Sequence, residues 1–146
     1  MFDYALAVAH HLVVFALLAV LVTELALVRP EMDHRDVTLV ARVDVAYGAL
    51  AALALLLGLA RAVYAAKGWG FYGSNLFFWL KLGIFVLIGV LSVPPTLKFI
   101  RWRREQHLPD DGEVAAVRRY LWGEFALFAV LPVCAAAMAR GYGFYG

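Results

Sequence analysis

The chain has 146 residues, 64% of them hydrophobic and only 16% charged, with a mean hydropathy of +0.79. A soluble domain sits nearer half apolar, and a formal net charge of +2 is too small to drive nucleic-acid binding. The composition excludes a water-soluble enzyme and predicts an integral membrane protein, residues 1–146 forming one transmembrane domain.

Several apolar runs exceed the roughly 18 residues that a bilayer span needs. Backbone polar groups in lipid must be bonded within their own segment, so these runs predict helices. Four are expected, over residues 2–28, 37–65, 76–100 and 117–138, giving an all-α membrane bundle.

The first helix holds His10 and His11 and runs on to Glu24, Arg29 and Pro30, which stops it. Asp3 stands where a secretory signal carries positive charge, and the run is too long for a signal's apolar region. This span is therefore expected to stay in the mature protein. Ionisable groups inside a membrane are expensive and by default mark a site. His10 and Glu24 are fourteen residues apart, close to four full turns, so they share a helix face. His11 points about 100° away. If Glu24 faces the bundle interior, His10 does too.

The second helix brings Arg42 and Asp44 near its start and Arg61 near its end. A glycine-rich aromatic joint, Lys67 to Asn75, leads to the third helix, which carries Lys81 early and Pro94-Pro95 late. A kink or break is expected at that proline pair. The charged loop from Arg101 to Gly112 precedes the fourth helix, which holds Glu124, Pro132 (an expected bend) and Cys134. Cys134 is the only cysteine, so no intrachain disulfide can form. Residues 68–73 and 141–146 share the pattern Gly-aromatic-Gly-Phe-Tyr-Gly. Either a helix hairpin was duplicated in parallel, or both segments converged on a helix stop with an interfacial anchor.

Basic residues gather at one end of the bundle, on Arg29, Arg35, Lys98, Arg101, Arg103, Arg104, Arg118 and Arg119. The other end has Arg61, Lys67 and Arg140. The positive-inside rule places the first end in the cytoplasm and both termini in the periplasm of a bacterial inner membrane. Trp69, Phe71, Tyr72, Tyr142, Phe144 and Tyr145 then form an outer aromatic belt.

Depth can be counted at about 1.5 Å per residue, which places His10 and His11 roughly 12 Å from the outer end and Lys81 within about 3–5 Å of that level. The inner half collects Glu24, Arg29, Arg42, Asp44 and Glu124. Acids and bases at one depth are expected to pair; the alternatives are a proton path, or carboxylates that receive protons released by chemistry. The other histidines, His34 and His107, lie in loops more than about 25 Å from His10. No helical His-x-x-x-His and no cysteine pair supports a structural zinc site. Haem needs only one strong axial nitrogen and an apolar slot. Gly48, Gly58, Gly83, Gly89 and Gly123 leave room for such a slot between helices. His10 or His11 is the candidate iron ligand, and Arg61, Lys67 and Arg140 are candidate partners for propionates. Met138 is the one further ligand near that depth. The plain alternative for the histidine is an interhelical hydrogen bond.

The order of these residues resembles the HemJ-type protoporphyrinogen IX oxidases, small bacterial four-helix membrane proteins. The likeness rests on His10 or His11, Arg29, Trp79-Leu80-Lys81, and the segment from Val117 to Glu124. It implies haem b on the helix-one histidine, Lys81 beside it, and Lys81, Glu124 and Arg29 as the catalytic set. A porphyrinogen-like or quinol donor would follow, with a homodimer if two subunits each supply a ligand. Three departures stand out. The histidine-to-Arg29 spacing is longer than in that family, Gly123 replaces an asparagine, and no histidine lies among residues 88–91. The chain is also similar to an uncharacterised bacterial family of four-span membrane proteins that shares Glu24, Arg29-Pro30 and the run from Pro94 to Arg103. The competing expectation is a non-enzymatic scaffold or small transporter, the copper-resistance membrane proteins being distant look-alikes. Met1, Met32 and Met138 are the only thioethers, which gives soft-metal transport little ligand support.

Overall fold

A computed structural model of the chain describes residues 2–64 and 68–145. It has five helices among those residues: α1 (Phe2–Leu27), α2 (His34–Tyr64), α3 (Gly68–Gly73), α4 (Leu76–Glu105) and α5 (Asp111–Ala139). The four long ones are apolar enough to cross a membrane. Described residues form no strand, only an isolated bridge between Asn75 and Phe144.

The helices run further at the basic end than the apolar pattern implies, because polar caps extend them. α2 starts at His34, where Asp33 Oδ1 accepts from Asp36 N (2.8 Å) and Arg29 pairs with Asp36 (2.9 Å). α5 starts at Asp111 behind a full capping box: Asp110 accepts from Glu113 N at 2.8 Å, and Glu113 Oε2 faces Asp110 N at 3.4 Å. Glu113 is also a hub, contacted by His107 at 2.7 Å, Lys98 at 3.3 Å and Arg101.

No break occurs at Pro94-Pro95. α4 passes through them to Glu105, and α5 likewise continues past Pro132. Each proline removes one helical donor, but buried Pro95, Phe99 and Trp102 lock the following turns against the bundle. Packing of this stretch outweighs the lost bonds.

α1 packs along α2 and α4 along α5, while α2 against α4 and α1 against α5 close a square. α1 and α4 therefore face each other diagonally, as do α2 and α5. The tightest core fills the basic half, around Leu21, Val28, Val40, Phe99, Trp102 and Leu121. Arg118 joins it by donating to the carbonyls of Leu25 (2.8 Å) and Val28 (2.5 Å), closing the C-terminus of α1. The outer surface is apolar: Leu12, Val45, Leu56, Val90 and Val133 point away from the bundle. Such a surface is a liability in water and is expected in lipid.

At the termini end the two Gly-aromatic segments meet. Asn75 caps α4 through Phe77 N (2.9 Å) and donates from Nδ2 to the carbonyl of Tyr142 (2.9 Å). Leu76 N donates to Gly143 O at 2.8 Å, and the rings of Phe71 and Phe144 sit 4.7 Å apart. Their conformations differ, however. The first segment is the helix α3; the second is a turn held by Gly141 (φ 82°) and Gly143 (φ 80°). A Cβ on Gly143 would lie 2.5 Å from Phe77 Cδ2. Gly143→Ala is expected to weaken docking of the tail by about 1–3 kcal/mol. Limited proteolysis should then clip the tail at least several-fold faster, with helicity unchanged.

Candidate functional site

The termini half of the bundle is hollow. A cavity of about 610 Å³ lies between the four spans under α3, walled by Phe15, Leu55, Phe71, Phe78, Phe85 and Phe128 among others. Small side chains make the space: Ala54 and Gly58 on α2 and Ala135 on α5 leave room where larger residues would meet. Among the described residues its charged or ionisable lining is confined to Asp3, His10, His11, Arg61, Tyr72 and Lys81.

His10 projects from α1 towards α2. A Cβ on Gly58 would stand 3.2 Å from its Cε1 and 3.7 Å from its Nδ1. Glycine is thus what admits the ring. Nδ1 is buried and has no hydrogen-bond partner, while the Ala54 backbone carbonyl, one turn before Gly58, faces the ring. His11 is exposed, with Nδ1 2.6 Å from the Ala7 carbonyl, and also lines the cavity. The two histidines therefore differ as helical phase requires.

Lys81 comes from α4, diagonally opposite α1, and Arg61 from the end of α2. Both are half-buried, and Arg61 Nε is buried without a partner. The ion pairs among the described residues involve neither of them. Asp3, in the first turn of α1, is the one carboxylate on the lining among the described residues. Met138 lines the same cavity.

The other expected site residues lie elsewhere. Arg140 is the exposed C-cap of α5 and does not line the cavity. Lys67 lies outside the described residues. Arg29 is at the basic end, its side chain 55% exposed, engaged with Asp36. Glu124 is fully buried in the basic half, where its Oε2 accepts from the Tyr47 hydroxyl at 2.9 Å. Of Lys81, Glu124 and Arg29, only Lys81 reaches the cavity.

The inner polar cluster corrects an expectation. Glu24, Asp44 and Glu124 are buried, but no base joins them. Arg42 is exposed and Arg29 turns to its loop. Both start near the membrane boundary, and long basic side chains there reach for water. The acids' partners are hydroxyls instead: Tyr47 to Glu124, and Thr96 Oγ1 to Asp44 Oδ1 at 2.8 Å. Sequence reasoning passed over Tyr47, although it lies three residues after Asp44 and so shares its face. It also passed over Thr96 and over the carbonyl-binding role of Arg118, neither of which leaves a signal in one sequence.

No group of three or more His, Cys, Asp or Glu among the described residues is arranged to hold a metal ion. No curated protein and no solved structure matches the chain. One family model does, described as a predicted membrane protein and aligned over residues 2–143, nearly the full length. With four membrane-length helices in place, the chain belongs to the DUF2214 family of predicted membrane proteins.

Proposed function

We propose that the large cavity binds haem b and that the protein has a redox role in the bacterial inner membrane, oxidising a porphyrinogen-like or quinol donor. One observation carries the reading. A buried histidine nitrogen without a partner faces a glycine-made gap, in a cavity that also holds two cations with no acid bound to them. A volume of 610 Å³ falls within the ~300–1,000 Å³ usual for small-molecule and cofactor sites.

His10 would hold the iron, its ring oriented by the Ala54 carbonyl in the way metal-bound imidazoles are commonly fixed. His11, exposed but also on the cavity lining, is the other candidate. Arg61 would bind a propionate. Lys81 would orient an anionic group or hand a proton to one across the cavity from His10. The aromatic and aliphatic walls exclude water. Haem, when bound, supplies one-electron chemistry. The likeness to HemJ-type oxidases adds the porphyrinogen donor. The gathering of basic residues at the loop end supports a periplasmic location for both termini.

The test is an absorption spectrum of the full chain purified from haem-replete cells. A Soret band is expected. His10→Ala should reduce it at least tenfold, and His11→Ala should keep more than half. A folded but colourless wild-type protein refutes haem, and the reverse order of the variants transfers the ligand role to His11. For the enzymatic part, the gene should rescue a strain lacking protoporphyrinogen oxidase. Failure by a haem-loaded protein would end that assignment.

A further inference from the structure

The basic half of the bundle holds a second arrangement that the cavity does not use. Glu24 on α1 and Glu124 on α5 are 1% and 0% exposed, and one carboxyl oxygen of each, Oε1, is buried with no hydrogen-bond partner. Asp44 on α2 is 7% exposed and close enough to Glu24, as Glu124 is, for their charges to interact. A cleft of about 480 Å³ opens beside them, lined by Asp44, Tyr47, Ser92, Thr96, Arg103 and Arg104. Its lining runs from the arginines at the basic end to Tyr47, whose hydroxyl donates to Glu124.

We propose that this is a proton path: protons enter from the basic face through the Thr96 cleft to Asp44 and Tyr47, and reside on Glu24 and Glu124 at the bundle centre.

Burying an unpaired carboxylate costs several kcal/mol, so a carboxyl group held this way is carried as the neutral acid. All four spans bring titratable groups near the cluster. α1 offers Glu24; α2 offers Asp44 and Tyr47, with Arg42 exposed; α4 offers Arg103 and Arg104 at the cleft mouth, its Lys98 and Arg101 being paired with Glu113 and its Lys81 lining the large cavity; α5 offers Glu124. The nearby guanidinium of Arg118 is occupied by the Leu25 and Val28 carbonyls. The residues are also not arranged to hold a metal ion, which leaves the proton as the neutralising cation.

Entry moves one proton from a water in the cleft to the Asp44 carboxylate, giving a carboxylic acid and a hydroxide that the bulk neutralises; Tyr47 passes its hydroxyl proton to the Glu124 carboxylate as it takes up another from the cleft side, so nothing is oxidised or reduced. Tyr47 is placed to connect cleft and interior, since it lines the cleft and donates to Glu124. Glu124 in turn lies one helical turn from Phe128, at the floor of the large cavity. The path thus ends beneath that cavity, and it stands independently of what the cavity binds.

Infrared spectroscopy of the full chain in lipid tests this. At neutral pH a protonated-carboxyl C=O band is expected, lost in the Glu24→Gln, Glu124→Gln double variant. Its deuterium exchange should slow at least tenfold in Asp44→Asn and in Thr96→Phe, which fills the cleft. No such band in the wild type overturns the proposal, and that measurement requires no variant to fold. A band that survives the double variant, or exchange unchanged by both cleft substitutions, overturns it as well. So does loss of the band on adding sodium at constant pH, which would make the cluster a metal-cation site.

Discussion

Gly58→Leu is expected to lower haem loading of the purified protein at least tenfold while the helical content stays as in the wild type. The position lies on the cavity wall against His10. Even a Cβ there would stand 3.2 Å from His10 Cε1, tighter than an ordinary contact, so the ring must give way by a few tenths of an ångström. A leucine adds three further carbons that can only enter the space where the ligand is proposed to lie. Tenfold corresponds to about 1.4 kcal/mol of binding, a small demand on a side chain that occupies the site outright. Gly58→Ala should fall between, losing several-fold. Gly48→Leu on the same helix is the control, because nothing stands within 4 Å of a Cβ there. Pigment per protein, read against circular dichroism, decides the matter. Full loading in Gly58→Leu would show that the ligand does not use this cavity.

The second large effect is on stability. Arg118→Met is expected to cost about 3 kcal/mol, because hydrogen bonds from a charged donor contribute roughly 1.5–3 kcal/mol each. Arg118 makes two, to Leu25 O and Val28 O, at the end of α1 where helical carbonyls lack intrahelical donors. A cation there also opposes the negative end of the helix dipole. Methionine keeps much of the length and apolar stem but cannot donate. Arg119→Met, one residue on and exposed, should change stability by less than about 0.5 kcal/mol. Unfolding in mixed detergent micelles measures both. Equal effects would mean that the α1–α5 tie carries no particular weight.

The same pair shows what one sequence conceals. Both arginines read as positive charge beside a loop, and their spacing from any acid is unremarkable. What separates them is the angle at which α5 meets α1, which turns one guanidinium onto two carbonyls and leaves the other in solvent. Arg42 illustrates the reverse: its depth beside Asp44 suggested an ion pair, yet its side chain is exposed. Glu24, Asp44 and Glu124 were legible as a level of buried acid. That hydroxyls rather than bases serve them was not, because Tyr47 and Glu124 meet only across the diagonal of the bundle.

The sequence by itself determined the four spans, since lipid leaves a long apolar run no structure but a helix. It also set the contrast between His10 and His11, which follows from 3.6 residues per turn alone. The helix ends at the basic face were misjudged by up to six residues (117 against Asp111) because a capping box, a local polar pattern, prevailed over hydropathy. Only the tertiary structure decided that the termini half is hollow, that Gly58 rather than any other glycine makes the gap beside His10, and that Lys81 and Arg61 open onto it while Arg140 does not. Those are matters of which faces of different helices meet, and no periodicity within one helix encodes its neighbour's rotation.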